Sequence, residues 1–164
     1  MKGRPGKSSP KLIIVCGLPG SGKTTLAKRL EEREKAVRFC PDEWMAALSI
    51  DLYDGEKRAK IEALQWKLGQ ELLRQGATVI IEWGTWTRSE RDTLRLGAKA
   101  LGAEVELHYL SAPLEVLLER VERRGMEKPP LKREDIEGSL RVFQEPTAEE
   151  MACFDHSHTI SARA

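Results

Sequence analysis

Residues 17–24, with the sequence GLPGSGKT, match the phosphate-binding pattern G-x-x-x-x-G-K-[ST] at every specified position. Phosphate oxygens need several converging donors, and large side chains would hold them away from the backbone. Glycines remove that obstruction and let successive N–H groups point inward at the positive end of the following helix. The pattern predicts that Lys23 reaches the β- and γ-phosphates of a nucleotide and that the Thr24 hydroxyl coordinates Mg²⁺. The residues predicted to bind the nucleotide are Gly17, Pro19, Gly20, Ser21, Gly22, Lys23, Thr24 and Thr25.

The residues on either side of this loop supply the elements that it needs. Residues 12–16 form an apolar run typical of a buried strand, and residues 25–30 continue with helical spacing. Further along, strand-like and amphipathic helical segments alternate. This alternation predicts a three-layer α/β P-loop domain whose central sheet has five parallel strands. Residues 1–10 are predicted to be a disordered basic tail, and residues 11–164 a single domain.

Two carboxylates follow strands of this predicted sheet. Asp42 comes after the segment 37–40, and Glu82 comes directly after the β-branched run at 77–81. The carboxyl ends of parallel strands meet at one sheet edge, where ligands bind in open α/β sheets. Asp42 is therefore predicted to lie where a ligand binds. An alternative role is a helix N-cap, and the two roles are compatible.

Length and composition exclude several classes of function. The chain has 164 residues and a net charge of +1, so no strongly basic surface indicates nucleic-acid binding. No apolar stretch approaches a membrane span, and the three widely spaced cysteines suit a reduced cytoplasmic protein. The three histidines form no four-ligand metal pattern. The sequence contains no asparagine, which rules out the Asn-Lys-x-Asp stretch with which GTPases recognise guanine.

These features together resemble small P-loop kinases related to the nucleoside monophosphate kinases, of the chloramphenicol phosphotransferase, zeta toxin and polynucleotide 5′-kinase type. Such enzymes carry an aspartate after the second strand, which Asp42 matches, and a lid with paired arginines. The resemblance implies that Asp42 is the general base, which takes the proton of an acceptor hydroxyl and orients its oxygen. The resemblance implies a helical lid at about residues 120–135, with Arg120 near the adenine and Arg124, or Arg123, on the transferring phosphate. An alternative for these arginines is simple pairing with a helix dipole. The resemblance also implies ATP and Mg²⁺ as cofactors.

The same resemblance locates the acceptor pocket beyond the third strand. Its predicted members are Glu82, Trp83, Trp86 and Arg88, and Trp44 adds a further wall. The alternative for each tryptophan is packing between helix and sheet. No arginine follows Asp42 closely, as one commonly does in polynucleotide kinases, and Arg58 belongs to an ordinary amphipathic helix.

The sequence therefore predicts an ATP-dependent phosphotransferase that moves the γ-phosphate to a hydroxyl of a small molecule, either an antibiotic or a metabolite. The alternative among enzymes is a polynucleotide 5′-hydroxyl or nucleotide kinase, so nucleic acid is a less favoured acceptor. The alternative from another class is a nucleotide-binding regulatory ATPase that acts on a protein partner. A membrane partner is not expected.

Overall fold

A parallel sheet with the strand order β2-β3-β1-β4-β5 forms the centre of the domain in the computed structural model, which describes residues 9–162. The strands are β1 (Lys11–Cys16), β2 (Val37–Phe39), β3 (Thr78–Ile81), β4 (Glu104–Ser111) and β5 (His156–Ser161). The helices are α1 (Lys23–Glu34), α2 (Pro41–Ala47), α3 (Gly55–Arg74), α4 (Arg88–Ala100), α5 (Leu114–Arg124), α6 (Arg133–Val142) and α7 (Ala148–Met151). The five parallel strands confirm the predicted α/β architecture. The predicted tail at 1–10 lies outside the described residues except for Ser9 and Pro10.

The sheet is covered on both faces because its central strands are apolar on both sides. Leu12 and Ile14 of β1 pack in one core cluster that includes Leu94 and Ala98 of α4. Ile13 faces the opposite cluster, where Ala27 and Leu30 belong to α1. Continuous apolar runs of this kind are typical of parallel strands buried between two helical layers. The helix–sheet–helix arrangement is thus set by the composition of the strands.

The strand order brings three chain segments together at one edge of the sheet. The strand β3 lies between β1 and β2, and Ile81 at its end is in register with both Ile14 and Phe39. The backbone N–H of Glu82 donates to the Phe39 carbonyl over 3.1 Å. The loop after β1, the start of α2 after β2 and Glu82 after β3 are therefore neighbours, as expected for the carboxyl edge of a parallel sheet.

The region predicted to be a lid consists of the end of α5, a connection at 125–132 and the start of α6. Gly125 ends α5 with φ of 56°, a left-handed conformation that glycine adopts without strain. Ile136 of α6 is buried against Leu117 and Val121 of α5, so the two helices form one unit over the end of the first loop. Among residues 9–162, no helix combines the length and apolar character needed to cross a membrane.

A buried ion pair fastens the loop after β3. The guanidinium of Arg91 on α4 is fully buried and donates to both carboxylate oxygens of Glu150, over 2.5 and 3.0 Å. It also donates to the carbonyls of Thr85 and Gln144. Buried charges are tolerated when they are paired and fully hydrogen-bonded. Arg91 thus holds the segment after β3 in place, next to the carboxyl edge of the sheet.

Candidate active site

The loop at residues 17–24 forms a cradle that opens toward the N-terminus of α1. Gly20 and Gly22 have φ of 81° and 99°, which glycine adopts readily and other residues avoid. A Cβ at Gly20 would lie 2.7 Å from the Leu117 carbonyl oxygen, so only glycine fits there. The first N–H groups of α1 have no acceptor within the helix and are available to an anion. The loop geometry therefore fits the phosphates of a nucleotide.

Lys23 lies at the centre of this cradle. Its Nζ donates to the carbonyls of Gly17 and Leu18, over 2.9 and 3.0 Å. Burial lowers the pKa of Lys23 to about 8, the nearby Arg124 lowers it too, and the carboxylates of Asp42 and Glu82 raise it. A desolvated ammonium next to another cation is poorly compensated, and bound phosphate would supply the missing negative charge. Lys23 is thus placed to bind an anion.

Glu82 joins the loop to the rest of the sheet edge. It is 4% exposed, accepts from Thr24 Oγ1 at 2.8 Å and pairs with Arg38 Nη1 at 3.0 Å. The sequence predicted an acceptor contact for Glu82, but this carboxylate holds the hydroxyl of Thr24, the predicted Mg²⁺ ligand. Outer carboxylates of this kind orient metal ligands. Glu82 thus lies beside Thr24 in the cleft wall, and these two side chains could hold Mg²⁺, which prefers oxygen ligands.

Asp42 lies in the first turn of α2 and pairs with an arginine from α3. Its Oδ1 accepts from Arg58 Nη2 at 2.5 Å, and the same Nη2 reaches the Leu52 carbonyl at 3.2 Å. Cys40 is the N-cap residue of α2 and Asp42 lies within its first turn, so the alternative role of N-cap is not formed. Arg58 lies on the helix that the sequence predicted, but the sequence did not predict its contact with Asp42. The α2–α3 connection turns the first helical turn of α3 back toward Asp42.

The two lid arginines approach the loop from α5. Arg120 Nη1 lies 3.4 and 3.3 Å from the carbonyls of Gly20 and Ser21. Arg124 pairs with Glu127, and its charge acts on Lys23. Arg123 instead pairs with Glu119 on the exposed side of the helix. Of the two arginines that the sequence left open for the transferring phosphate, the structure places Arg124 inside the site.

A cleft of about 1270 Å³ contains these groups. Its wall includes residues 19–25 of the loop, Asp42, Arg58, Glu82, Trp86 and the arginines at 120 and 124. Trp86 lies directly over Gly84, where a Cβ would come within 2.4 Å of the indole nitrogen. At the far end, Tyr53 donates to the Pro129 carbonyl over 2.5 Å and so joins the α2–α3 connection to the lid. The cleft is large enough for a nucleotide and a second small molecule.

Two residues predicted to bind the acceptor lie outside this cleft. The indole of Trp44 packs edge-on against Phe39, with ring centroids 6.0 Å apart, because α2 turns this side chain toward the core. Arg88 begins α4 and pairs with Asp92 and Glu149 near the surface. Neither side chain lines the cleft that contains the other predicted residues.

Several residues of the site carry no signal in the sequence. Arg38, Tyr53 and Arg58 all act through contacts with distant segments, and no pattern predicts which helix face or loop tip enters the cleft. One partial signal exists for Arg58. The Asp54–Gly55 turn with the capping bond from Lys57 N–H to Asp54 fixes where α3 begins, and hence which residues form its first turns.

A separate cluster on β4 and β5 is a charge network. Ligand atoms of Glu106, His108 and His158 lie within 4.8 Å of one another. Glu106 already binds His108 Nε2 at 2.6 Å and the Lys11 ammonium at 2.8 Å. The hydrogen bonds from His108 and Lys11 lower the pKa of Glu106 to about 2. Because Lys11 supplies the cation, the cluster does not need a metal ion.

Comparisons with known proteins show the family to which the chain belongs. The AAA domain family AAA_33 matches residues 12–146. The protein named "Probable gluconokinase" of Schizosaccharomyces pombe is 26% identical over 147 residues, which are 85% of this chain and 75% of that protein. The UPF0200 protein of Thermococcus onnurineus is 30% identical over 141 residues, which are 77% of this chain and 75% of that protein.

Solved structures share the fold. A gluconokinase from Sinorhizobium meliloti matches with a TM-score of 0.62 and 21% identity, over 96% of this chain and 85% of that chain. Chaetomium thermophilum Kti12 in complex with ADP-AlF3 matches with a TM-score of 0.70 and 24% identity, over 92% of this chain and 88% of that chain. A chain of the Pnkp1/Rnl/Hen1 RNA repair complex matches with a TM-score of 0.69 and 25% identity, over 90% of this chain and 47% of that chain.

Proposed function

We propose that the chain, which belongs to the AAA_33 family and is a P-loop kinase, transfers the γ-phosphate of ATP to a hydroxyl of a small metabolite. One observation carries this proposal. Lys23 and Asp42 line the same cleft, and the Asp42 carboxylate acts on the charge of Lys23. A cation for the transferring phosphate and a base for the acceptor hydroxyl are the two groups that this reaction needs.

The residues of the cleft divide between two substrates. The loop and Lys23 bind the phosphates of ATP, and Thr24 with Glu82 behind it would hold Mg²⁺, which supplies charge neutralisation when bound. Arg120 covers the nucleotide, and Arg124 stabilises the negative charge that develops on the transferring phosphoryl group. Asp42 orients the acceptor hydroxyl. These roles follow from the contacts of each side chain in the free protein.

The reaction is a single displacement at phosphorus. The acceptor oxygen forms a bond to the γ-phosphorus, and the bond from that phosphorus to its bridging oxygen breaks, with the electron pair leaving on ADP. The hydroxyl proton passes to Asp42. Asp42 Oδ2 accepts no hydrogen bond within residues 9–162, so this oxygen is free to take the proton.

A transfer assay with radiolabelled γ-phosphate tests the proposal. The acceptors are polyols, sugar acids, nucleosides, hydroxylated antibiotics and a 5′-hydroxyl oligonucleotide. We expect transfer to a small hydroxylated metabolite. Transfer to the oligonucleotide alone would identify a polynucleotide kinase instead. ATP hydrolysis that only a protein partner stimulates, with no phosphorylated acceptor, would identify a regulatory ATPase.

Replacement of Asp42 by Asn tests the general base. We expect the transfer rate to fall about 10²- to 10⁴-fold, because an amide cannot accept the hydroxyl proton. The affinity for ADP should stay unchanged, since Asp42 does not belong to the loop. Glu56→Gln is the matched control, because Glu56 is an exposed carboxylate that pairs with Lys60 on α3. Full turnover in Asp42→Asn would exclude Asp42 as the base.

A further inference from the structure

Arg58 presents unused hydrogen-bond donors to the cleft. Only its Nη2 is engaged, with Asp42 Oδ1 and the Leu52 carbonyl. Its Nε and Nη1 donate to no residue within 9–162, and its side chain is 32% exposed in the cleft wall. A guanidinium carries five donors in a planar fork that matches a carboxylate. One edge of Arg58 is therefore available to an anionic group of a ligand.

The reaction itself changes the charge next to Arg58. Asp42 neutralises Arg58 in the free protein through their 2.5 Å contact. When Asp42 takes the proton of the acceptor hydroxyl, Arg58 loses the charge of its partner. An anion on the acceptor would restore that balance during the transfer. With a neutral acceptor, the carboxylate of Glu62, which the charge of Arg58 also reaches but which accepts no hydrogen bond from it, would be the nearby counter-charge that Arg58 retains at this step.

Resting on the phosphotransferase function proposed above, we infer that Arg58 binds a carboxylate of the acceptor and that the acceptor is a small polyhydroxy carboxylic acid. Arg58 is then a specificity-determining residue, and Asp42 binds the reacting hydroxyl beside it. A hydroxyl and a carboxylate of one small molecule are thus recognised by two side chains that contact each other.

The surrounding charges favour a carboxylate over a phosphate. The other cations that line the cleft stand on the two helices beside the phosphate-binding loop, namely Lys23, Lys28 and Arg29 on α1, and Arg120 and Arg124 on α5. One guanidinium suits a monoanion, whereas a phosphate dianion usually meets several cations. Glu62 and Glu90 also line the cleft, and the charges of Arg58, Glu90 and Asp42 act on Glu62. These carboxylates would repel a dianion more strongly than a monoanion.

The same carboxylates suit the hydroxyls of such an acceptor. Glu62 makes no hydrogen bond within the described part of the chain, and burial raises its pKa. A partly desolvated carboxylate without a donor is stabilised by a ligand hydroxyl. Trp86 adds an aromatic wall that can cover the carbon skeleton of the acceptor. A polyhydroxy acid matches this combination of one cation, several acceptors and one apolar surface.

Pairs of acceptors that differ only in the anionic group test the inference. D-gluconate is compared with D-glucitol, and D-glycerate with glycerol, by kcat/KM for phosphate transfer. We expect the acid to exceed its neutral partner by about 100-fold in at least one pair, as for charged hydrogen bonds in a desolvated site. A neutral partner that equals its acid in every active pair would overturn the inference and leave the phosphotransferase function intact.

Arg58→Gln tests whether Arg58 binds the carboxylate of the acceptor or only positions Asp42. We expect it to reduce kcat/KM for the acid far more than for the neutral polyol, so that their ratio approaches one. An equal reduction for both would mean that Arg58 only positions Asp42, and would overturn the inference. Arg74→Gln, an exposed position on the same helix that pairs with Glu71, is the control and should leave the ratio unchanged. Unfolding temperature and ADP affinity of Arg58→Gln check the fold and the donor side.

The remaining outcomes are also decisive. Transfer only to phosphorylated or neutral acceptors overturns the inference about Arg58 but retains the kinase reaction. No transfer to any acceptor, in a protein that binds ADP, overturns the proposed small-molecule transfer and the inference together.

Discussion

The donor half and the acceptor half of this cleft are built in opposite ways. The donor half consists mainly of consecutive residues at 17–25, and its ligands are backbone N–H groups positioned by glycines with left-handed φ. The acceptor half consists of side chains from separate segments, with Asp42 on α2, Arg58 on α3 and Trp86 after β3. Only the tertiary fold brings these side chains together.

Because of this difference, we expect the donor half to determine nucleotide binding and the acceptor half to determine the choice of acceptor. Backbone groups that bind phosphate are insensitive to the identity of most side chains. A loop of this kind can therefore bind the same nucleotide in proteins that catalyse different reactions. The acceptor half changes with single side chains, because each of its groups stands on a different element. Variants of the donor half should therefore lower transfer to every acceptor alike, whereas variants of the acceptor half should change the choice of acceptor.

Lys23→Ala gives the largest expected effect on the donor half. Removal of a preorganised donor to developing charge typically costs about 10²- to 10³-fold in rate. We expect kcat/KM to fall by this factor equally for acidic and neutral acceptors. The measurement is the transfer rate for one acid and its neutral partner, with Arg33→Ala as a control on the exposed side of α1. A change in the ratio between the two acceptors would contradict the assignment of Lys23 to the donor half.

Glu82→Gln tests the boundary between the two halves with a smaller expected effect. Glutamine can still accept from Thr24 Oγ1, but it lacks the charge that pairs with Arg38. Outer partners of metal ligands typically contribute about 10- to 100-fold in metal affinity. We expect the Mg²⁺ concentration for half-maximal transfer to rise about tenfold, with acceptor choice unchanged. If the Mg²⁺ dependence stayed the same and the choice of acceptor changed, the result would support the acceptor role that the sequence predicted for Glu82.

The sequence predicts the donor half well because its determinants are local. The loop at 17–24, the apolar strand before it and the helix after it lie within one continuous segment. The alternation of strands and helices also predicts the parallel sheet, and the positions of Asp42 and Glu82 after strands place them at its carboxyl edge. Local periodicity suffices for these features, since each depends on residues a few positions apart.

The acceptor half depends on contacts that no local pattern encodes. Arg58 meets Asp42 only because residues 48–54 reverse the chain, with Ser49 at φ of 56° and an Asp54 cap. The sequence analysis identified no role for Arg91, which is buried and pairs with Glu150, 59 residues later in the chain. Trp44 shows the opposite case. It was predicted to line the acceptor pocket, but the short α2 turns its indole toward the core. Side-chain direction in each case is decided by tertiary packing.

Tyr53→Phe makes the smallest expected change and is expected to act mainly on the acceptor half. The phenol donates to the Pro129 carbonyl and is the direct hydrogen bond between the α2–α3 connection and the lid in the described structure. One hydrogen bond contributes about 1 kcal/mol net, which corresponds to about fivefold in an equilibrium constant. We expect KM for the acceptor to rise about fivefold, while the Kd for ADP stays nearly constant, because α5, which carries Arg120, is held by its own packing against Leu18 and Ile136. Tyr53→Leu separates the hydroxyl from the ring, since Tyr53 also lines the cleft. A Kd for ADP that rises as much as KM would mean that the lid couples the two halves, and their independence would then be disproved.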